Sequence, residues 1–269
     1  NRNDNLEKQA RDYIKKHYPQ LSVTMGSQIS GKLNFPRRAT TSYYTAITSE
    51  EWNRFVDEID RALTERGLDC EVHILKADGG TLALQVSRDM HCETVFSGPA
   101  ASTMGALALA QAGMNAVVLD IGGTTTDIAL LLDGMPLYAS KGASINQRYT
   151  HVNAFAVRSI ALGGDSSISV NAGQVAVENY RRDVAACFGG KSATVTDAFN
   201  CKFNLNIGNP EFSAAALEQL AGSGMSKDEL STTVVTIVIN RLQDVITDMF
   251  KEWENEPAYK VWEVINKRK

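Results

Sequence analysis

The run Asp120-Ile121-Gly122-Gly123-Thr124-Thr125-Thr126-Asp127 is the stretch of this 269-residue sequence best suited to hold an anion. Two adjacent glycines let a hairpin turn tightly and bring backbone N–H groups close to a phosphate. The hydroxyls of Thr124, Thr125 and Thr126 add donors. Asp120, at the end of the apolar segment 116–119, is placed to hold a hydrated Mg2+ beside those phosphates. Asp127 either caps the turn or orients a water. Asp120 and Asp127 are therefore the candidate catalytic residues, and Asp120 the candidate metal ligand. A lone Gly-Gly would serve only a turn. An apolar strand, an Asp, two Gly, three Thr and a second Asp in succession point instead to nucleotide-phosphate binding.

Further candidates surround this run. Gly163, Gly164 and Asp165 make a second Gly-rich turn, expected beside the hairpin where it would touch phosphate or metal. Arg37 and Arg38 either bind a substrate carboxylate or phosphate or sit on a solvated loop. Asp78 and Gly79, in the turn Ala77-Asp78-Gly79-Gly80, either face a cleft or serve the turn alone. Asp197 reads as structural rather than catalytic, and Tyr43 and Tyr44 as packing residues. The four cysteines and four histidines are isolated, with no CxxC, HxxxH or HExxH spacing, so a zinc site has little support. The thiols are expected to be reduced and mostly buried.

The elements that must position these residues follow from periodicity and turn chemistry. Residues 5–18 read as an amphipathic helix ending before Pro19, and residues 21–24 as a short strand. Residues 26–42 read as a basic loop, and residues 49–66 as a helix with Ser49 as N-cap and Gly67 at its end. Strands are expected at 70–76 and 82–86, and a helix from Ser97-Gly98-Pro99 through residue 112. Two strands, 115–120 and 127–132, flank the Gly/Thr run, and Asp133-Gly134 signals a hairpin to 135–138. Residues 155–162 read as a strand or short helix entering the second Gly-rich turn. Residues 226–252 form a long helix capped by Ser226, its apolar stripe running from Leu230 to Phe250, and a last helix covers 256–267.

Composition bounds the class. Apolar residues make up 43% and charged residues 22%, ordinary for a soluble globular domain. A net charge of -4 gives no global basic field for nucleic acid. No apolar run reaches the roughly 18 residues of a membrane span, and no secretory leader is visible. The reading is cytoplasmic, with neither nucleic acid nor membrane as partner.

The Gly/Thr run resembles the phosphate-2 hairpin of the actin/sugar-kinase/Hsp70-like (ASKHA, ribonuclease H-like) superfamily. The preceding SGPAASTMGALALAQAG sits where that superfamily places its connecting helix. SGPAAS followed by VVLDIGGTTTDIALLLDG is similar to the hydantoinase A/5-oxoprolinase family in particular. Pro36-Arg37-Arg38-Ala39-Thr40-Thr41 with Thr45-Ala46 resembles that family's Arg…Thr-Thr…Asn-Ala stretch. Lys76-Ala77-Asp78-Gly79-Gly80 resembles its Ser-Asn-Gly-Gly turn, Ala161-Leu162-Gly163-Gly164-Asp165-Ser166 its Gly-rich loop, and Thr194-Val195-Thr196-Asp197-Ala198 its TVTDA. The likeness spans residues 10–200 and is strongest in the middle.

The resemblance implies an α/β fold: an ASKHA domain at residues 96–269, its mixed sheet flanked by helices, and a smaller α/β portion at residues 1–95 on the substrate side. It implies ATP and Mg2+ as cofactors, with Gly122, Gly123, Thr124, Thr125, Thr126, Gly163, Gly164 and Asp165 on the nucleotide and Arg37, Asp78 and Gly79 on the substrate. It implies an ATP-dependent hydrolase of cyclic amides such as hydantoin or 5-oxoproline, in a homo- or hetero-oligomer. The alternatives are a subunit of an ATP-dependent ketone carboxylase and a non-enzymatic chaperone or regulatory module. An upstream Asp-x-Gly-Gly-Thr hairpin, a downstream adenosine loop and the family's SAGxxPGPxC stretch are not recognisable. The expectation is a fragment, starting at Asn1, that carries one jaw of an ATP site.

Overall fold

The structure is a computed structural model that describes residues 3–109 and 113–255. In chain order the elements are α1 (Asn5–His17), α2 (Gly26–Ile29), α3 (Phe35–Glu65), β1 (His73–Leu75), β2 (Thr81–Ala83), α4 (Ser87–Met90), α5 (Ser97–Leu109), β3 (Ala116–Ile121), β4 (Thr126–Leu132) and β5 (Met135–Pro136). They continue with β6 (Ser144–Ile145), β7 (Arg148–Tyr149), β8 (Val157–Ile160), β9 (Ser166–Asn171), β10 (Gln174–Arg181), α6 (Val195–Phe203), α7 (Pro210–Ala221) and α8 (Lys227–Glu254). The fold is mixed α/β. Among the described residues no helix is long and apolar enough to cross a membrane. The chain divides into two compact units, Asn1–Val118 with Ala129–Val157, and Leu119–Ile128 with Arg158–Lys269.

In the first unit the sequence expectation is corrected at residues 26–42. Only residues 30–34 are irregular: α2 takes Gly26–Ile29, and α3 starts at Phe35 and runs through Ser49, which is mid-helix. Pro36 stands within the first turn, where its missing N–H costs nothing. The cap is Asn34, whose Oδ1 accepts from the Arg37 N–H at 3.2 Å. Thr41, Thr45 and Thr48 return their hydroxyls to carbonyls four residues back, so this polar stretch satisfies itself inside the helix. Residues 21–24, expected as a strand, form no ladder, and Leu21 is exposed. The strand expected over 70–76 shrinks to β1, which pairs antiparallel with β2. A small core of Ala77, Cys92, Ala143, Val152 and Ala154 lies under Tyr44, Val95 and Ile145. The Asp133-Gly134 turn forms as expected, both residues at positive φ, setting Leu132 opposite Met135.

The second unit is built on one apolar core. Leu162, Ile168, Val177, Val195, Ala198, Leu217, Leu230, Val234 and Val238 bring β9, β10, α6, α7 and α8 together. The Ser226 cap expected for α8 is present, and the structure adds its reciprocal half: Ser226 Oγ accepts from the Glu229 N–H at 3.2 Å, and the Glu229 carboxylate accepts from the Ser226 N–H at 2.8 Å. The expected stripe holds at Leu230, Val234 and Val238, but Phe250 is exposed and Met249 takes the buried place near the helix end. The hairpin of β9 and β10 and the helix α7 carry no expectation from the sequence. Ala172 and Gly173, both at positive φ, close that hairpin between Asn171 and Gln174. The helix expected over 256–267 lies outside the described residues. The strand order around the Gly/Thr run is β3-β4-β5, with β8 also pairing β4.

Candidate phosphate-binding site

The Gly122 N–H donates to the Thr125 carbonyl at 2.9 Å and closes a tight loop at Gly123-Thr124. A second loop then takes the glycine carbonyls. Gly164 N–H donates to Gly122 C=O at 2.9 Å and Asp165 N–H to Gly123 C=O at 2.7 Å. Peptide bonds are trans, so a carbonyl and the N–H of the next residue point opposite ways. The N–H groups of Gly123 and Thr124 are therefore turned away from the 163–165 loop. Neither has an acceptor among the described residues. Two adjacent unpaired amides on an exposed turn offer the kind of concavity that can accept an anion.

Missing side chains make this stacking possible. A Cβ on Gly163 would lie 2.5 Å from Gly123 O and 2.7 Å from Gly122 O. A Cβ on Gly123 would lie 2.7 Å from Asp165 Oδ2, and one on Gly164 2.6 Å from Thr196 Oγ1. Below the loops, Thr126 is buried and donates its hydroxyl to Leu162 C=O at 2.6 Å. Thr126 thus anchors the hairpin, while Thr124 and Thr125 remain exposed. Ser166 Oγ accepts from the Gly163 N–H at 3.0 Å, and Thr196 N–H donates to Gly164 C=O at 2.7 Å.

The charged groups follow the same geometry. Continued regularly from the Gly122–Thr125 bond, the antiparallel register sets Asp120 opposite Asp127 on one face. Asp120 is exposed. Asp127 is half-buried, and its Oδ1 is buried without a hydrogen-bond partner among the described residues. Like charges opposite each other across a strand pair repel. Hard oxygen donors in this arrangement fit a magnesium ion that keeps several waters. Among the described residues no group of three or more His, Cys, Asp or Glu side chains is placed to hold a metal ion. Asp165 Oδ2 pairs with Arg181 Nη1 at 3.3 Å, with the arginine 41% exposed.

Asp197 has a different task. It is fully buried and accepts from the N–H groups of Ala186, Cys187 and Thr194, each at 2.9 Å. The hydroxyls of Thr194 (3.0 Å) and Ser213 (2.7 Å) complete the set. Five donors offset the loss of water around the carboxylate. They tie the start of α6 to the 184–190 turn and to α7, and through Thr196 they hold the second glycine loop.

The other predicted residues belong to the first unit. Arg37 lies on the first turn of α3, its guanidinium 5.9 Å over the Tyr149 ring. Asp78 accepts from Gly80 N–H at 3.0 Å and from Lys76 Nζ at 3.1 Å, as a turn residue does. Gly79, at φ +81°, has room for no side chain because Phe155 Cζ would lie 2.7 Å from its Cβ. Among the described residues no hydrogen bond or ion pair joins Arg37 to Asp78. Sequence reasoning missed Arg181 and gave Leu162 and Ser166 no role of their own. Arg181 reaches Asp165 because the ladder of β9 and β10 shifts register between Val177 and Arg181 and sets Arg181 opposite Ser166. An Arg-Arg pair after an alternating strand is the only trace of this in the sequence.

Comparison with known proteins adds a family and a fold. A family model described as hydantoinase/oxoprolinase matches residues 38–218. A search of curated protein sequences gave no match. Among solved structures the chain is similar to acetone carboxylase in its nucleotide-free form, from work on the mechanism of ATP-dependent acetone carboxylation. The TM-score is 0.74 at 20% identity, over 95% of this chain and 39% of that chain. The chain therefore spans well under half the length of that relative.

Proposed function

Because the chain belongs to the hydantoinase/oxoprolinase family, we propose that it supplies the phosphate-holding half of an ATP site in an ATP-dependent enzyme acting on a cyclic amide. Residues 96–269 are read as ASKHA-type, and residues 1–95 as serving the substrate side. The observation that carries this reading is the pair of outward amides of Gly123 and Thr124, fixed by the carbonyl bonds to Gly164 and Asp165. Thr124 and Thr125 add hydroxyl donors from the exposed turn. Asp120 and Asp127 would hold magnesium, which also explains a buried carboxylate oxygen left without a partner. ATP, when bound, supplies a phosphoryl group that turns a poor leaving oxygen into a good one. This chain's residues bind and orient it, with Arg181 a further cation beside the loop.

The fold likeness to acetone carboxylase favours a second reading, a subunit that couples ATP to carboxylation of a ketone. Both readings share the phosphate site, and its test is calorimetry of this chain with Mg-ATP and Mg-ADP. Saturable heat that falls in Asp127→Asn is the expected result. Absence of saturable heat with either nucleotide would overturn the reading. In the full-length protein, ATP turnover stimulated by hydantoin or 5-oxoproline alone selects the hydrolase, and turnover requiring acetone plus bicarbonate selects the carboxylase. Nucleotide binding with no stimulated turnover by the full-length protein would leave a non-enzymatic module.

A further inference from the structure

The first turn of α3 and the residues before it carry cations that meet no carboxylate in an ion pair among the described residues. Among the described residues, none of Lys32, Arg37 and Arg38 has an acidic side chain within ion-pair distance. Glu7 on α1 feels the Arg38 charge, but its carboxylate accepts from the Ser27 N–H at 2.9 Å, and Glu93 feels the Lys32 charge but lies 3.8 Å from Lys76 Nζ. Into this group comes His151, only 7% exposed, with neither ring nitrogen hydrogen-bonded among the described residues. Its backbone is pinned there. His151 N–H donates to Thr41 Oγ1 at 2.9 Å, and Lys32 Nζ donates to the His151 carbonyl at 3.2 Å and to Asn153 Oδ1 at 2.7 Å. Arg38 Nη1 reaches the Lys32 carbonyl at 3.3 Å. Arg37 and Lys141 approach one ring, that of Tyr149, at 5.9 and 5.6 Å.

Such an arrangement is costly as it stands. A neutral imidazole always carries one N–H, and a buried N–H without an acceptor is unfavourable. Burial first, and then the charges of Lys32, Arg37 and Arg38, hold the His151 pKa below its ordinary value, while the Leu33 backbone pulls the other way without hydrogen-bond geometry. The start of a 31-residue helix adds its positive end. What is missing is a negative acceptor. A planar guanidinium matches a planar two-oxygen anion best.

We propose that Lys32, Arg37 and His151 form a binding site for a small planar oxyanion, either a substrate carboxylate or bicarbonate. The anion accepts from the His151 ring and the Arg37 guanidinium, and Lys32 stands at the exposed rim. The site lies wholly within the first unit and does not rest on the nucleotide reading of the second.

The test is NMR of the histidine ring protons during titration with sodium formate, sodium bicarbonate and sodium phosphate, ionic strength held constant with chloride and no nucleotide present. The His151 resonance is assigned by its loss in His151→Gln. Since His151 is buried, the exposed Lys32→Gln variant carries the decision if that variant does not fold. The expected result is a saturable His151 shift with formate or bicarbonate, a raised His151 pKa at saturation, and binding at least about ten-fold weaker in Lys32→Gln and in Arg37→Gln. Tighter formate identifies a substrate carboxylate as the source, and tighter bicarbonate identifies bicarbonate. No saturable shift with either would overturn the site. So would a shift equal to that with phosphate or unchanged in both variants.

Discussion

Substitution of Gly163 by alanine isolates the contact on which the phosphate reading depends. Its φ lies outside the positive region, so the added methyl tests space and not backbone strain. Ordinary Cβ contacts begin near 3.4 Å, whereas this Cβ would meet Gly123 O at 2.5 Å and Gly123 C at 2.6 Å. The difference, 3.4 less 2.5, asks the Gly123 carbonyl to retreat by about 0.9 Å. These neighbours are backbone atoms, so no side chain can swing aside. The displaced carbonyl is the acceptor of the Asp165 N–H bond at 2.7 Å, and its neighbour accepts from Gly164 N–H at 2.9 Å. Overpacking costs about 1–3 kcal/mol and a weakened backbone bond about 1 kcal/mol more. The sum, about 2–4 kcal/mol, corresponds to a fall in Tm of roughly 4–15 °C for a chain of this size. A shift of this size in the outward amides weakens Mg-ATP binding by about 10- to 100-fold. Differential scanning calorimetry gives the first number and isothermal titration the second. The matched control is Gly105→Ala in α5, where a Cβ meets nothing within 4 Å and the helix gains stability. A Gly163→Ala protein with unchanged Tm and unchanged nucleotide affinity would refute the stacking of the two loops. Lost stability with unchanged affinity would refute the role of the Gly123 and Thr124 amides.

Other expected outcomes are independent of that one. Asp127→Asn relieves the repulsion with Asp120, so thermal stability without nucleotide holds or rises slightly, while Mg-ATP affinity in calorimetry drops at least about ten-fold. Asp197→Ala strands five buried donors and lowers the urea-unfolding free energy by about 3–5 kcal/mol, a loss that Gly105→Ala does not produce. His151 titrates in the folded chain below its ordinary 6.5, so the unfolded chain binds the extra proton first and stability falls as pH drops from about 6.5 toward the lowered value. Urea midpoints between pH 7.5 and 5 in 0.1 M chloride should show this slope, and His151→Gln should flatten it. Alkylation by iodoacetamide at pH 8 should label exposed Cys70 long before Cys92, whose thiol burial pushes up to about 11. Equal labelling rates would contradict the packing of the first unit.

Local rules made much of the candidate phosphate site readable. A tight turn needs Gly122 and Gly123, and an apolar run on either side needs a sheet, so β3, β4 and the hairpin between them follow from neighbours in sequence. The Asp133-Gly134 turn and the Ser226–Glu229 capping box are equally local, each set by residues no more than three apart. Where the reading failed, the deciding contacts were also local but ambiguous. Pro36 and a run of Thr and Ser look like a loop, yet Pro within the first turn and hydroxyls returned to the carbonyl four residues back build a helix.

Distance in sequence accounts for the rest. The carbonyls of Gly122 and Gly123 meet the 163–165 loop some forty residues later, and only that meeting turns the Gly123 and Thr124 amides outward. Asp197 is an ordinary cap residue until the fold brings Ala186, Cys187 and Ser213 to it. Arg181 reaches Asp165 through a register shift that no composition or spacing encodes. His151 is one isolated histidine in the sequence, and its burial among Lys32, Arg37 and Arg38 depends on a contact across more than a hundred residues. Residue types set which chemistry was possible. Packing decided which amides, carboxylates and cations were left without partners, and those are the groups available to a ligand.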